Sequence, residues 1–146
     1  RLNIIEKLEK QDTGFDLHSC GNDVDLSYLN EEEKSLFQGT IKNRDLFKQA
    51  LVELEKDEPD HELVGQLLSE HHTVLKDVLQ VSTPKIEAML TAAMEVGALG
   101  GKINGSGGGG CMFVYCPENS QAAADAIEEA GGKSYIIEAD EGTRID

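Results

Sequence analysis

The residues with the most chemistry to offer here carry almost no side chains. Gly105-Ser106-Gly107-Gly108-Gly109-Gly110 follows Gly101-Lys102-Ile103-Asn104 and runs directly into Cys111-Met112-Phe113-Val114-Tyr115-Cys116. A hairpin ordinarily needs one or two residues with positive φ. Each further glycine costs roughly 0.5 to 1 kcal/mol in chain entropy against alanine. Four consecutive glycines therefore point to a second use. Bare backbone lets another backbone, or a phosphate, come within reach of N–H groups, and successive N–H groups curled inward form an anion-binding nest. A plain hairpin turn is the competing reading.

Two familiar phosphate motifs are imitated and rejected. Gly105 to Gly110 satisfies G-x-G-x-x-G, but that fingerprint needs a helix to start at the loop, and here a strand follows. Gly132-Lys133-Ser134 imitates the end of a phosphate-binding loop, yet Ile127 stands where its first glycine belongs. The remaining reactive side chains read as packing. His71-His72 beside Glu70 is not the zinc pattern H-E-x-x-H, and His71 falls on an apolar helical stripe, as a packed, hydrogen-bonded histidine would. Cys111 and Cys116 read as small core residues on a strand. Asp140, Glu141 and Asp146 read as tail residues, with a magnesium site as the alternative.

The elements that must position the loop are marked locally. Leu2 to Lys10 has a helical pattern that breaks at Asp12-Thr13-Gly14, and Phe15, Leu17 and Ser19 then alternate as in a short extended segment. Asn30 with Glu31, Glu32 and Glu33 starts a helix predicted to run to Lys56, with room for a kink at Gly39 and an apolar stripe of Phe47, Ala50, Leu51 and Leu54. A turn at Asp57 to Asp60 opens a second helix, whose buried face is Val64, Leu67, Leu68, His71, Leu75 and Val78; the two helices pack antiparallel. Thr83-Pro84 caps a third, lined by Ile86, Met89, Leu90, Ala93 and Gly97. Strands follow at 101–104 and 111–116. Asn119 or Ser120 caps a last helix with Ala123, Ala126, Ile127 and Ala130 buried, Gly131-Gly132 stops it, and Ser134 to Glu138 is the closing strand. The predicted fold class is α+β, with helices covering one face of a small, mainly antiparallel sheet, in a single domain over residues 1–146.

Composition limits the partners. The chain has 146 residues, is 39% hydrophobic and carries a net charge of -15, so it closes a core of its own and repels nucleic acid and anionic membranes except at a locally organised site. No apolar run reaches the roughly 18 residues of a membrane span, and no cleavable leader is visible after Arg1. Three cysteines at no metal-like spacing read as reduced thiols. A cytoplasmic location is expected.

Gly100 to Cys111 closely resembles the third motif of the GHMP small-molecule kinases, the family of galactokinase and of homoserine, mevalonate and phosphomevalonate kinases. Leu68 to Ile86 is similar to the galactokinase-type helix pair before that motif, and Gly142-Thr143-Arg144-Ile145 to the family's chain end. The resemblance implies a ferredoxin-like C-terminal domain of an ATP-dependent, galactokinase-like sugar kinase. It implies that Gly105, Ser106, Gly107, Gly108, Gly109 and Gly110 lie at the nucleotide phosphates of MgATP, facing an N-terminal kinase domain whose motifs are absent from this chain. Lys102 is either a basic residue of that site or a solvated strand residue. The implied partners are that N-terminal domain, ATP, Mg2+ and a small sugar. A heptose-phosphate kinase and a stand-alone binding or interaction module with the same fold are the alternatives. An apolar surface beside the two strands is expected where the other domain docks.

Overall fold

The computed structural model describes residues 2–21 and 23–138; Asp140, Glu141, Asp146 and the Gly142-Thr143-Arg144-Ile145 run lie outside the described residues. The helices begin where short-range chemistry says they should. Helix α1 spans Leu2–Gln11 and α2 Glu31–Leu54. Asn30 caps α2 through a reciprocal box: its side chain accepts from the Glu33 N–H, and Glu33 accepts from the Asn30 N–H. Helix α3, His61–Thr73, is capped by Asp60, whose side chain accepts from Leu63 N–H. A buried Glu53 near the end of α2 accepts the Asp60 N–H at 2.8 Å and Lys56 Nζ at 2.6 Å, which ties the two helices at their turn.

Helix α3 does not end in a normal turn. It passes into a π-helical turn, Val74–Val78, closed by Leu79 N–H to Val74 O at 3.1 Å. Helix α2 crosses this turn at Gly39, where a β-carbon would stand 2.8 Å from Val78 Cγ1. Gly39 is thus a contact point, and α2 continues through it as one helix. Helix α4, Pro84–Glu95, starts as predicted with Thr83 accepting from Ile86 N–H. Strands β1, Gly100–Asn104, and β2, Cys111–Tyr115, pair antiparallel with Gly100 opposite Tyr115 and Asn104 opposite Cys111. Helix α5, Ser120–Glu129, closes at Gly131, whose φ is +87°.

The α+β class stands, as helices packed on a two-stranded antiparallel sheet. Its layering differs from the one-faced arrangement expected. On one face Ile103, Met112 and Val114 pack with Ile86, Met89 and Leu90 of α4 and Ile127 of α5. Helix α3 lies against the other, where Gly100 meets Gly65 backbone to backbone. A separate cluster of Ile4, Leu8, Leu29, Phe37 and Ile41 joins α1 to the front half of α2.

Several expectations are corrected. Ser134 to Glu138 forms no strand: the sheet of the described residues is β1 and β2 alone, and Tyr135, Ile136 and Ile137 stand exposed. The segment after α1 is a series of turns, held by Asp16 accepting from His18 N–H and Ser19 Oγ. The stripe of Phe47, Leu51 and Leu54 is exposed; α2 buries Phe37, Ile41 and Leu46 instead. Gly97 does not line α4 but stops it, exposed and at φ +104°. His72, not His71, is the buried histidine of α3. Cys111 is exposed, whereas Cys116 packs beside Ala93, Ala98 and Ala123. Phe113 on β2 is exposed, with larger apolar exposure on α2 and at Tyr135, Ile136 and Ile137. No helix of the described residues is long and apolar enough to cross a membrane.

Candidate functional site

The loop between β1 and β2 stands almost entirely in left-handed backbone. Gly105, Gly107, Gly108, Gly109 and Gly110 have φ between +75° and +114°, values that a β-carbon makes costly. Around Gly105, Gly108, Gly109 and Gly110 a β-carbon would find no atom within 4 Å. Open space on that side is what an incoming group would need.

Gly107 is different. A β-carbon there would stand 2.5 Å from Val81 Cβ and 2.7 Å from Val81 O, and the next residue's N–H, that of Gly108, donates to Val81 O at 2.7 Å. Two requirements thus share one loop: one glycine admits the protein's own backbone, and the others leave room outside. The close approach expected from the glycine run is present here within the chain itself.

Lys102 lies on β1. Its Nζ donates to Ile103 O at 2.8 Å and sits 5.4 Å from the Phe113 ring centre. Burial lowers its pKa, and burial, followed by the charges of Lys102 and His72, lowers that of His71. Among the described residues no group of three or more His, Cys, Asp or Glu side chains is arranged to hold a metal ion.

Residues 47–136, more than half of the chain, match the family described as GHMP kinases C terminal. The chain belongs to the GHMP kinases. The mevalonate kinase of Thermococcus onnurineus (strain NA1) is 44% identical over 105 residues, 66% of this chain and 31% of that protein. That of Pyrococcus furiosus is 42% identical over 97 residues, 66% of this chain and 28% of that protein. The galactokinase of Enterococcus faecalis (strain ATCC 700802 / V583) is 36% identical over 91 residues, 62% of this chain and 21% of that protein. The chain spans less than a third of the length of these curated relatives. The family likeness is therefore stronger toward mevalonate kinases than toward the galactokinases expected from the motif.

In this GHMP kinase sequence the segment that receives the loop is itself organised by charge. Val81 N–H donates to Leu75 O at 3.1 Å, at the exit of the π-turn. The next residue, Ser82, donates its hydroxyl to Glu87 of α4. Glu87 also accepts from His72 Nε2 at 2.8 Å and Lys76 Nζ at 2.8 Å. Burial opposes its ionisation, but the bonds from Lys76, Ser82 and His72 outweigh it and hold the carboxyl at about 2. Sequence reasoning missed this group. The one signal was its position beside the Thr83-Pro84 cap, because hydrogen bonds between helices leave no periodic trace.

A pH dependence follows with a definite sign. A carboxyl whose pKa is depressed on folding stabilises the protein above its unfolded pKa, near 4.5, and that stabilisation is lost as pH falls toward 2. Urea midpoints of the chain and of Glu87→Gln should therefore converge between those values, after differing clearly at pH 6. Parallel curves over this range would show that Glu87 is not coupled to folding.

Proposed function

We propose that residues 1–146 form the C-terminal domain of an ATP-dependent kinase that transfers a γ-phosphoryl group to an alcohol, with mevalonate as the acceptor. The observation that carries the reading is the loop from Gly105 to Gly110, with left-handed backbone and open space on one side. Phosphoryl transfer asks a protein mainly for positioning and for dipoles aimed at phosphate oxygens. Among the described residues, Gly109 and Gly110 make no backbone bond to the rest of the domain, so their N–H groups, with the Ser106 hydroxyl, are available to donate to phosphates. Magnesium neutralises phosphate charge in such reactions; its ligands are assigned to the nucleotide and to the N-terminal domain. The acceptor site and the acid-base chemistry are assigned to an N-terminal domain, and the location is cytoplasmic.

Mevalonate is chosen over a sugar on the strength of the relatives, 44% identical against 36%. A small sugar remains the second reading, favoured by the galactokinase likeness of the same residues. The test is ADP release by the longest natural polypeptide that contains this chain, supplied with MgATP and mevalonate, galactose or a heptose phosphate. Turnover that depends on mevalonate is expected. Turnover with galactose or a heptose phosphate alone would replace mevalonate by the corresponding sugar, and ATP binding without turnover would leave a binding module. The isolated 146-residue chain is expected to fold, by circular dichroism, and to release no ADP with any acceptor. Steady release by it alone would overturn the division of labour.

A further inference from the structure

Among the described residues, the glycine loop makes one backbone hydrogen bond to the rest of the domain, from Gly108 N–H to Val81 O. Where Val81 stands decides where the loop stands. Val81 belongs to the short strap between the π-turn and α4, and that strap is unusual in three ways. Gln80 has a φ of +52°, a left-handed value that a residue with a side chain adopts only when its surroundings enforce it. The Val81 N–H is drawn back to Leu75 O at 3.1 Å. Ser82 is fastened to Glu87, a carboxylate that gathers His72 and Lys76 as well.

We infer that Glu87 is a positioning residue for the glycine loop, acting through Ser82 and the carbonyl of Val81. One carboxylate connects the end of α3, the π-turn, the strap and the first turn of α4. Its Oε1 accepts from His72 and Ser82, and its Oε2 accepts from Lys76. The His72 ring has no other tie, since its buried Nδ1 lacks a partner among the described residues. A group that only filled space between helices would not need three donors. The arrangement fixes a backbone carbonyl instead, and that carbonyl holds the loop through a single N–H while Gly109 and Gly110 stay open.

The inference deepens the proposed role of the loop at nucleotide phosphates and rests on it for its effect on catalysis, though not for its effect on the loop. The two are separated by measuring both. Amide hydrogen exchange of Gly108, read against the β1–β2 ladder, reports the loop's anchor; the KM for ATP and kcat of the full-length kinase report the consequence. Glu87→Ala is expected to speed Gly108 exchange about tenfold more than it speeds exchange of the ladder. It should also raise the KM for ATP about tenfold with a smaller change in kcat. Glu87→Gln, which keeps an acceptor oxygen, should recover part of both. Ser82→Ala removes only the hydroxyl and decides the matter if Glu87→Ala does not fold. Faster Gly108 exchange with an unchanged KM for ATP would keep the positioning role and remove the loop from the phosphates. Unchanged Gly108 exchange in folded variants, or exchange that rises equally throughout the domain, would overturn the inference.

Discussion

Gly100→Ala should unfold this protein at a temperature roughly 10 °C lower than the parent, a loss of about 3 kcal/mol or more. The added β-carbon would overlap the Gly65 carbonyl and stand 2.7 Å from Gly65 Cα. Those are backbone atoms of a helix packed against the sheet, so no side-chain rotamer can relieve the clash, and α3 must move off β1. Gly65→Ala should act in the same way, because its β-carbon would meet Leu99 at 2.5 Å from the carbonyl carbon. The pair should be less than additive, since the first substitution already opens the contact that the second needs. Thermal unfolding of both single variants and the double variant measures this. A melting temperature within about 3 °C of the parent for Gly100→Ala would mean that α3 and β1 are not in backbone contact.

The second large effect is on activity. In the full-length kinase, Gly108→Ala or Gly109→Ala is expected to cost about 1 kcal/mol of stability, the strain of a left-handed residue with a β-carbon. The same substitutions should lower kcat/KM for ATP about a hundredfold, because a small displacement at the reacting phosphates is expensive. Gly107→Ala serves as the internal contrast. Its β-carbon would strike Val81, so stability should fall by roughly 2 to 3 kcal/mol as the loop leaves its seat. Denaturant midpoints and ATP kinetics, taken on the same preparations, separate the two. If Gly108→Ala and Gly109→Ala lose stability alone and keep normal ATP kinetics, the run of glycines is a turn and nothing more.

Features written in short-range chemistry were legible in the sequence. The Asn30 box, the Thr83-Pro84 start, the loop glycines and the Gly131 stop each depend on a few adjacent residues, and each falls where it was read. Periodicity misled where two apolar faces compete on one helix. Phe47, Leu51 and Leu54 repeat at helical spacing as well as Phe37 and Ile41 do, but only contact with α1 and α3 decides which set is covered. Ser134 to Glu138 has the composition of a strand, yet a strand forms only where the chain is brought alongside a partner, and no local pattern encodes that placement. At the site the glycines announced themselves. Val81 and Glu87 did not, because their part is played through bonds to Gly108, Ser82 and His72, across turns of chain that no spacing rule relates.

The wide turn at Val74–Val78 makes the strap a matter of counting. A regular helix turns about 100° per residue, and a π-turn absorbs one residue more than an α-turn without lengthening the helix in proportion. Substitution within Val74 to Val78 leaves that arithmetic alone. Loss or gain of one residue does not: everything downstream would rotate by about a quarter of a circle, and the Val81 carbonyl would face away from the loop it now holds. The distance along the chain between His72 and Glu87 is therefore as much a part of the site as the glycines, even though neither residue lies in their loop.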